Sequence, residues 1–356
     1  MQDVLNRWAR TVRSWLRARQ KSTSVQAGWV AGRLRTSPEG HAYGRSVRQE
    51  CNYYVYVPAG LTRLDRVPLL VMLHGCKQNA RLFAEGTRMN ALADLHRFIV
   101  LYPEQSARVH PLCCWRWFES DTLKGAGDAA VIAELVRTVA RRYPVDRSRV
   151  YVAGMSAGGA MASILVLCYG AMFAACAIVS GVMYRAADSV LEAIAVMRRG
   201  SRRPPGAAAG DAARKSSRCV GFVPALVMHG DRDSAVNPLN ADQIIEQFRE
   251  VAQAVTTAPA PLAESDERRV TTAGRAYRQR DYLSENRVLL RKIIVEGLGH
   301  AWSGGDDRHA FNDAAEPDAS QLIWEFVSEF RRSPGQRVPA GAWWSQLLRA
   351  VRGVWA

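Results

Sequence analysis

A chain of 356 residues can hold one large α/β domain or two small ones, and its 48% hydrophobic and 23% charged content is that of an ordinary soluble globular protein. The formal charge of +15 is unusual, but it comes from arginines scattered along the chain, with no aromatic-basic RNA motif or zinc-finger spacing, which argues against a nucleic-acid partner. Seven cysteines without a C-x-x-C pair argue against a structural metal, and no stretch approaches the roughly 20 apolar residues of a membrane span.

At the start, Val4, Leu5, Trp8, Val12, Trp15 and Leu16 share one face of a helical pattern and Arg7, Arg10, Arg13 and Arg17 the other. This predicts a basic amphipathic helix that packs on the protein, or lies on a lipid-like or polyester surface. The first ten residues lack the apolar run of a secretory signal, which gives a cytoplasmic expectation. Residues 21–45 are polar and read as linker, so 1–44 form the first unit and 45–331 the main domain.

Cys51 to Val57 reads as a strand. Leu69-Leu-Val-Met-Leu73 is a buried strand that stops at His74-Gly75-Cys76. Arg81 to Leu95 has helical spacing, Phe98-Ile-Val-Leu101 returns as a strand, and Gly127 to Arg142 is a helix closed by Pro144. Between them, Cys114-Trp-Arg-Trp-Phe118 places Trp115 and Trp117 in a loop, where they are core or line an ester-binding groove.

Then Arg149-Val-Tyr-Val-Ala-Gly-Met155 ends in Gly154-x-Ser156-x-Gly158 and passes into an apolar, alanine-rich stretch. Strand, tight turn and helix in this order hold a serine hydroxyl up at the carboxyl edge of a sheet, and the glycines are there because a Cβ would collide with the adjoining elements. The N–H of Ala157 at the helix start and that of Cys76 after His74-Gly75 are the candidate oxyanion donors. His74 itself reads as a structural hydrogen-bonding residue.

Phe173 to Ser180 is the next strand candidate. Residues 198–218 are rich in Arg, Pro, Ala, Gly and Ser and read as a flexible insertion, a plain loop or a lid. Pro224-Ala-Leu-Val-Met228 leads to His229-Gly-Asp-Arg-Asp233, a strand ending in a turn that bears carboxylates. Asp233 is preferred over Asp231 as the orienting acid. Ala241 to Val251 is a helix, 255–287 is charged and irregular with a hairpin, and Val288 to Val295 is the last strand. It runs into Gly299-His300-Ala-Trp302, a histidine in a glycine-bracketed loop, and Ser320 to Arg331 closes the domain. The tail, 332–356, carries Trp343, Trp344, Leu347, Leu348, Val351, Val354 and Trp355 at helical spacing.

Ser156, Asp233 and His300 thus occur in the order Ser…Asp…His, each just past a predicted strand. Such a set runs acyl transfer through an activated serine and needs no cofactor or metal. The runs His74-Gly-Cys-Lys-Gln, Met89-Asn-Ala-Leu-Ala-Asp94, Val100-Leu-Tyr-Pro-Glu-Gln105, Cys114-Trp-Arg-Trp-Phe118, Gly154-Met-Ser-Ala-Gly-Gly159, His229-Gly-Asp-Arg-Asp233 and Gly299-His-Ala-Trp-Ser-Gly-Gly305 together resemble the polyhydroxybutyrate depolymerase esterase family, over roughly residues 45–330. The resemblance implies an α/β-hydrolase fold, a mostly parallel sheet with helices on both faces. It implies Ser156, Asp233 and His300 as triad, a short-chain polyhydroxyalkanoate or its oligomers as substrate, and a bridge from Cys76 to Cys113 or Cys114. Relatives in the family are feruloyl and acetylxylan esterases, the alternative substrate class.

Trp115, Trp117 and Trp302 are the candidate substrate-binding residues. The missing signal and polymer-binding domain suggest an intracellular, granule-associated form that uses its terminal helices, with secretion left open. A non-catalytic granule- or surface-binding protein on the same fold is the reading from another class.

Overall fold

The computed structural model describes residues 24–35, 50–207, 222–255 and 262–332. The predicted terminal helices at 1–20 and 332–356, Cys219, and residues 208–218 of the predicted insertion lie outside the described residues, Arg332 apart.

A single mixed sheet organises the chain. Its strands are β1 (Gly28–Arg35), β2 (Glu50–Val57), β3 (Val67–Leu73), β4 (Ile99–Glu104), β5 (Val145–Met155), β6 (Ala175–Val179), β7 (Ala225–Gly230), β8 (Ala263–Glu264), β9 (Arg268–Val270), β10 (Tyr277–Ser284) and β11 (Arg287–Val295). Across the sheet the order is β1-β2-β4-β3-β5-β6-β7-β11-β10-β8, with β9 beside β10. From β4 to β11 neighbouring strands run parallel. Every residue of β3, β6 and β7 is buried, which is why these segments read as unbroken apolar runs. β2 alternates instead, being antiparallel to both of its neighbours.

Helices α1 (Ala80–Thr87), α2 (Met89–His96), α3 (Ser120–Leu123), α4 (Gly127–Arg142), α5 (Ala157–Cys168), α6 (Val190–Arg199) and α7 (Leu239–Val255) lie between strands of the sheet, and α8 (Ala319–Ser328) follows the last of them. They close two cores. One holds α4, α5 and α7 against residues such as Leu69, Val152 and Ile178. The other, on the opposite face, holds α1, α2 and α8, where Trp324 stacks on Phe98 with ring centroids 3.9 Å apart. Tyr151, in the strand that leads to the serine, donates its hydroxyl to Phe330 O at 2.8 Å and so ties the segment after α8 to the centre of the sheet.

Four details differ from the sequence reading. Residues 28–35 are not linker but a strand, paired residue by residue with β2 from Gly28↔Val57 to Arg35↔Glu50. It lies at the sheet edge with its residues alternately half-buried and exposed, so its apolar signal is weak. The helix expected over 81–95 is two helices, because Arg88 turns left-handed with φ 55° and breaks the ladder. The first part of the expected insertion is tied down: α6 runs through Arg199, and Arg203 pairs with both Asp188 and Glu192 at 2.8 Å. α6 itself went unpredicted, although Ser189 caps it by accepting from Glu192 N.

Candidate active site

β5 ends at Met155 and α5 begins at Ala157, leaving Ser156 alone to make the turn at φ 57°, ψ −120°. A non-glycine residue held there stores strain, and the neighbours keep it in place. Ser156 N–H donates to Val179 O at 2.9 Å, and Ser156 O accepts from Ala160 N at 3.0 Å. A Cβ on Gly154 would run into Gly158 O, and one on Gly158 into Leu73 O and His74 O, so both glycines permit a backbone approach that no other residue allows.

The tip of β3 meets this elbow. A Cβ on Gly75 would stand 3.4 Å from Ser156 Cβ, which places the His74-Gly75-Cys76 turn directly against the serine. Gly75 N–H is taken by Gln78 Oε1 at 2.9 Å and Lys77 N–H by Leu112 O at 2.7 Å. Between them, Cys76 N–H has no acceptor among the described residues, and neither has Ala157 N–H at the start of α5. Cys76 is bonded to Cys114 with Cα atoms 4.3 Å apart, which selects Cys114 over its neighbour Cys113.

The loop that brings Cys114 is anchored from below. Asp128 Oδ2 accepts from Gln105 Nε2 at 2.8 Å and Arg116 N at 2.9 Å, while Oδ1 takes the Arg116 guanidinium at 2.8 Å. His74 is fully buried; its Nδ1–H donates to Gly75 O at 2.8 Å and its Nε2 accepts from Gln105 N at 3.1 Å. Burial pushes its pKa down to about 4 against the opposing pull of the Gly75 carbonyl. It braces the turn as a neutral ring.

The acid and the imidazole come from two adjacent strands. β7 stops at Gly230, where a Cβ would run into Leu298 O, and Arg232 N–H donates to Leu298 O at 3.0 Å. Asp231, the second candidate acid, accepts from Gly297 N at 2.7 Å and so fastens the histidine loop. Asp233 is the carboxylate that meets the histidine, its Oδ2 lying 2.7 Å from His300 Nδ1. Oδ1 accepts from Ala235 N and Val236 N at 2.9 and 2.8 Å. Burial alone would raise the Asp233 pKa, but hydrogen bonds from His229 and His300, the His300 charge and the Val236 amide outweigh it, leaving the carboxyl well below its usual range. Ser156 and His300 are partly exposed whereas Asp233 is 5% exposed, the arrangement of a buried orienting acid behind two reachable groups.

His229 is the residue that sequence reading passed over. It is buried, with Nε2 2.8 Å from Val236 O and 3.3 Å from Asp233 Oδ2. Its place one residue before a strand-ending glycine was visible, but its partner four residues on was not.

The three tryptophans expected to bind substrate lie in the interior. Trp115 and Trp302 are 2% and 1% exposed and donate their indole N–H groups inward, to His74 O at 3.0 Å and Ser320 Oγ at 3.1 Å. Trp117 is buried edge-on to Phe118. Trp115 and Trp302 thereby tie the loops on either side of the serine to the body of the domain.

The chain is similar in sequence and fold to known proteins. The family described as Esterase PHB depolymerase matches residues 51–270. Poly(3-hydroxyalkanoate) depolymerase C of Paucimonas lemoignei is 36% identical over 198 residues, covering 55% of this chain and 47% of its own length. Feruloyl esterase B of Thermothelomyces thermophilus is 31% identical over 222 residues, covering 58% and 74%. The chain thus spans about half the length of the depolymerase it matches. Among solved structures, an acetyl xylan esterase from Aspergillus awamori superposes with a TM-score of 0.62 at 20% identity, over 83% of this chain and 99% of that one. That likeness is one of fold. On its sequence match over residues 51–270, this chain belongs to the Esterase PHB depolymerase family, built on an α/β-hydrolase fold.

Proposed function

We propose that this protein is a serine esterase that hydrolyses the ester bonds of short-chain polyhydroxyalkanoates or their oligomers. The observation that carries the reading is the 2.7 Å pair of Asp233 and His300 at the same sheet edge as the strained Ser156. With Nδ1–H held by the carboxylate, His300 Nε2 is the atom left to take the Ser156 proton as the hydroxyl attacks an ester carbonyl. Asp233 then stabilises the imidazolium, and the N–H groups of Cys76 and Ala157 receive the tetrahedral oxygen's charge. His300 returns the proton to the departing alkoxide, and water activated by the same ring releases the acyl group from Ser156.

The test is hydrolysis of amorphous polyhydroxybutyrate by wild type and Ser156→Ala, with the products sized. Soluble oligomers from wild type and none from the variant support the reading. No release by wild type overturns the substrate, and equal release by both overturns the nucleophile.

The match to feruloyl esterase B over 74% of its length favours a second reading, a carboxylesterase of feruloyl or acetyl esters. Hydroxybutyrate trimer and methyl ferulate supplied side by side separate the two. A non-catalytic granule-binding role would leave the Ser156→Ala variant's effect on granules intact. Among the described residues no helix is long and apolar enough to cross a membrane. The Cys76–Cys114 bond favours an oxidising compartment over the cytoplasm expected from the sequence.

A further inference from the structure

At the far end of β5 from Ser156, an open cavity of about 490 Å³ lies between α4 and the segment after α8. Val136, Ala140, Val150 and Met172 give it apolar walls, and Arg137, Arg141, Arg147 and Arg332 also line it. Val150 and Ser156 are six positions apart along the strand and its turn, roughly 20 Å. The cavity is therefore no part of the catalytic edge.

The charges around it do not balance. Glu134 takes both Arg137, at 3.2 Å, and Arg141, at 2.9 Å. Asp146, the next carboxylate along, is held by Arg149 at 2.7 Å and Arg331 at 3.6 Å. Arg147 and Arg332 have no acidic partner among the described residues, and Arg332 Nε is buried without a hydrogen-bond partner. Arg332 is nevertheless fixed in place, its backbone N–H donating to Ser148 O at 2.9 Å. Two uncompensated guanidinium groups beside apolar walls attract an anion that has an apolar body.

Two occupants are disfavoured. Residues 333–356 follow directly, but their charged side chains are Arg337, Arg349 and Arg352, all of the same sign as the cavity. A small, strongly hydrated anion would leave the apolar walls unused. The volume is that of a small-molecule site.

We propose that this cavity binds the carboxylate end of short aliphatic hydroxy-acid oligomers, the carboxylate on Arg147 and Arg332 and the chain along Val136, Ala140, Val150 and Met172. The naming of that ligand class rests on the esterase reading, since such acids are its products; the cavity and its two arginines without an acidic partner among the described residues do not.

The experiment is calorimetric titration of the full chain carrying Ser156→Ala, which leaves the oligomer intact, with hydroxybutyrate trimer as free acid, its methyl ester, and inorganic phosphate. The same titrations are run with Arg147→Gln and Arg332→Gln added, and with the exposed Arg147→Glu alone in case the half-buried Arg332 is needed for folding. The expected result is an acid-selective site whose affinity falls at least tenfold in the double variant and in Arg147→Glu, with trimer hydrolysis unchanged when these substitutions are made on wild type. Acid binding that is insensitive to both arginine variants overturns the proposal, as does displacement of the trimer by equimolar phosphate. The two readings fail separately: arginine-dependent binding without trimer hydrolysis by wild type sinks the esterase substrate and keeps the cavity, and the converse sinks the cavity alone.

Discussion

His229 Nε2 stands 3.3 Å from Asp233 Oδ2, the same oxygen that lies 2.7 Å from His300 Nδ1. The orienting acid is therefore held from both sides, with two backbone amides on its other oxygen. Removing the His229 donor takes away one of the groups that hold Asp233 Oδ2 toward His300. His229→Leu is expected to lower kcat by on the order of tenfold with little change in KM, the loss of one hydrogen bond to a charged group. His229→Gln, which keeps an N–H donor, should recover most of it. Steady-state kinetics on both variants check this, and equal losses in the two would assign His229 to packing alone.

Asp233→Asn preserves shape but offers an amide where His300 needs an acceptor. Activity should fall by about 10⁴-fold, as for other triads that lose the correct tautomer. Its stability effect has a definite sign. A carboxyl held below its ordinary pKa of about 3.9 stabilises the native state above that pH, and the contribution is lost as pH falls through the depressed native value. The difference in unfolding free energy between wild type and Asp233→Asn should therefore be constant above about pH 5 and shrink below about pH 4. Denaturant melts across that range measure it.

His74 also loses stability as pH falls, but over a higher window. Its native pKa of about 4 lies below the ordinary 6.5, so the unfolded chain binds the proton first as pH drops. Stability should decline between about pH 6.5 and 4 by up to about 3 kcal/mol from this group and then level off. His74→Gln should flatten that segment of the stability–pH curve; a curve unchanged in shape would show that His74 titrates normally.

Closing the 38-residue separation between Cys76 and Cys114 is worth about 4 kcal/mol in the chain-entropy picture. Reduction is expected to lower the melting temperature. Since Cys76 N–H is the proposed second oxyanion donor, it should also lower kcat more than it alters KM. Alkylation of the denatured, unreduced protein should leave Cys76 and Cys114 unlabelled, which peptide mapping would detect.

Gly158→Ala would drive a methyl group into two carbonyl oxygens of the β3 tip. Neither is a side chain that can swing aside. The variant is expected to lose roughly 2–4 kcal/mol and all measurable esterase activity. Gly28→Ala, at an edge glycine with open space around it, serves as the mild comparison, limited to the strain of its φ of 88°.

What could be read from the sequence depended on how locally each feature is encoded. The serine turn was legible because Gly154, Ser156 and Gly158 carry their own steric reason, and α4 because its apolar period runs unbroken to Arg142 and Pro144. β1 was missed because an edge strand buries only part of each residue. The roles of Trp115 and Trp302 depended on long-range contacts: Ser320 lies 18 residues from Trp302 and His74 41 residues from Trp115. The choice between Cys113 and Cys114 was likewise closed to sequence, since adjacent residues share the same spacing and only the backbone turn at Cys113, with φ 50°, sets which thiol faces Cys76.

The bond from Tyr151 to the Phe330 carbonyl marks how far a truncated version could be cut back. Trimming at residue 332 keeps the phenol satisfied, whereas stopping at 328 strands a polar group deep beneath the strand that carries the reactive alcohol, and removes the aromatic ring packed on Phe326. Shortened versions should therefore divide sharply at that carbonyl between folded protein and aggregate.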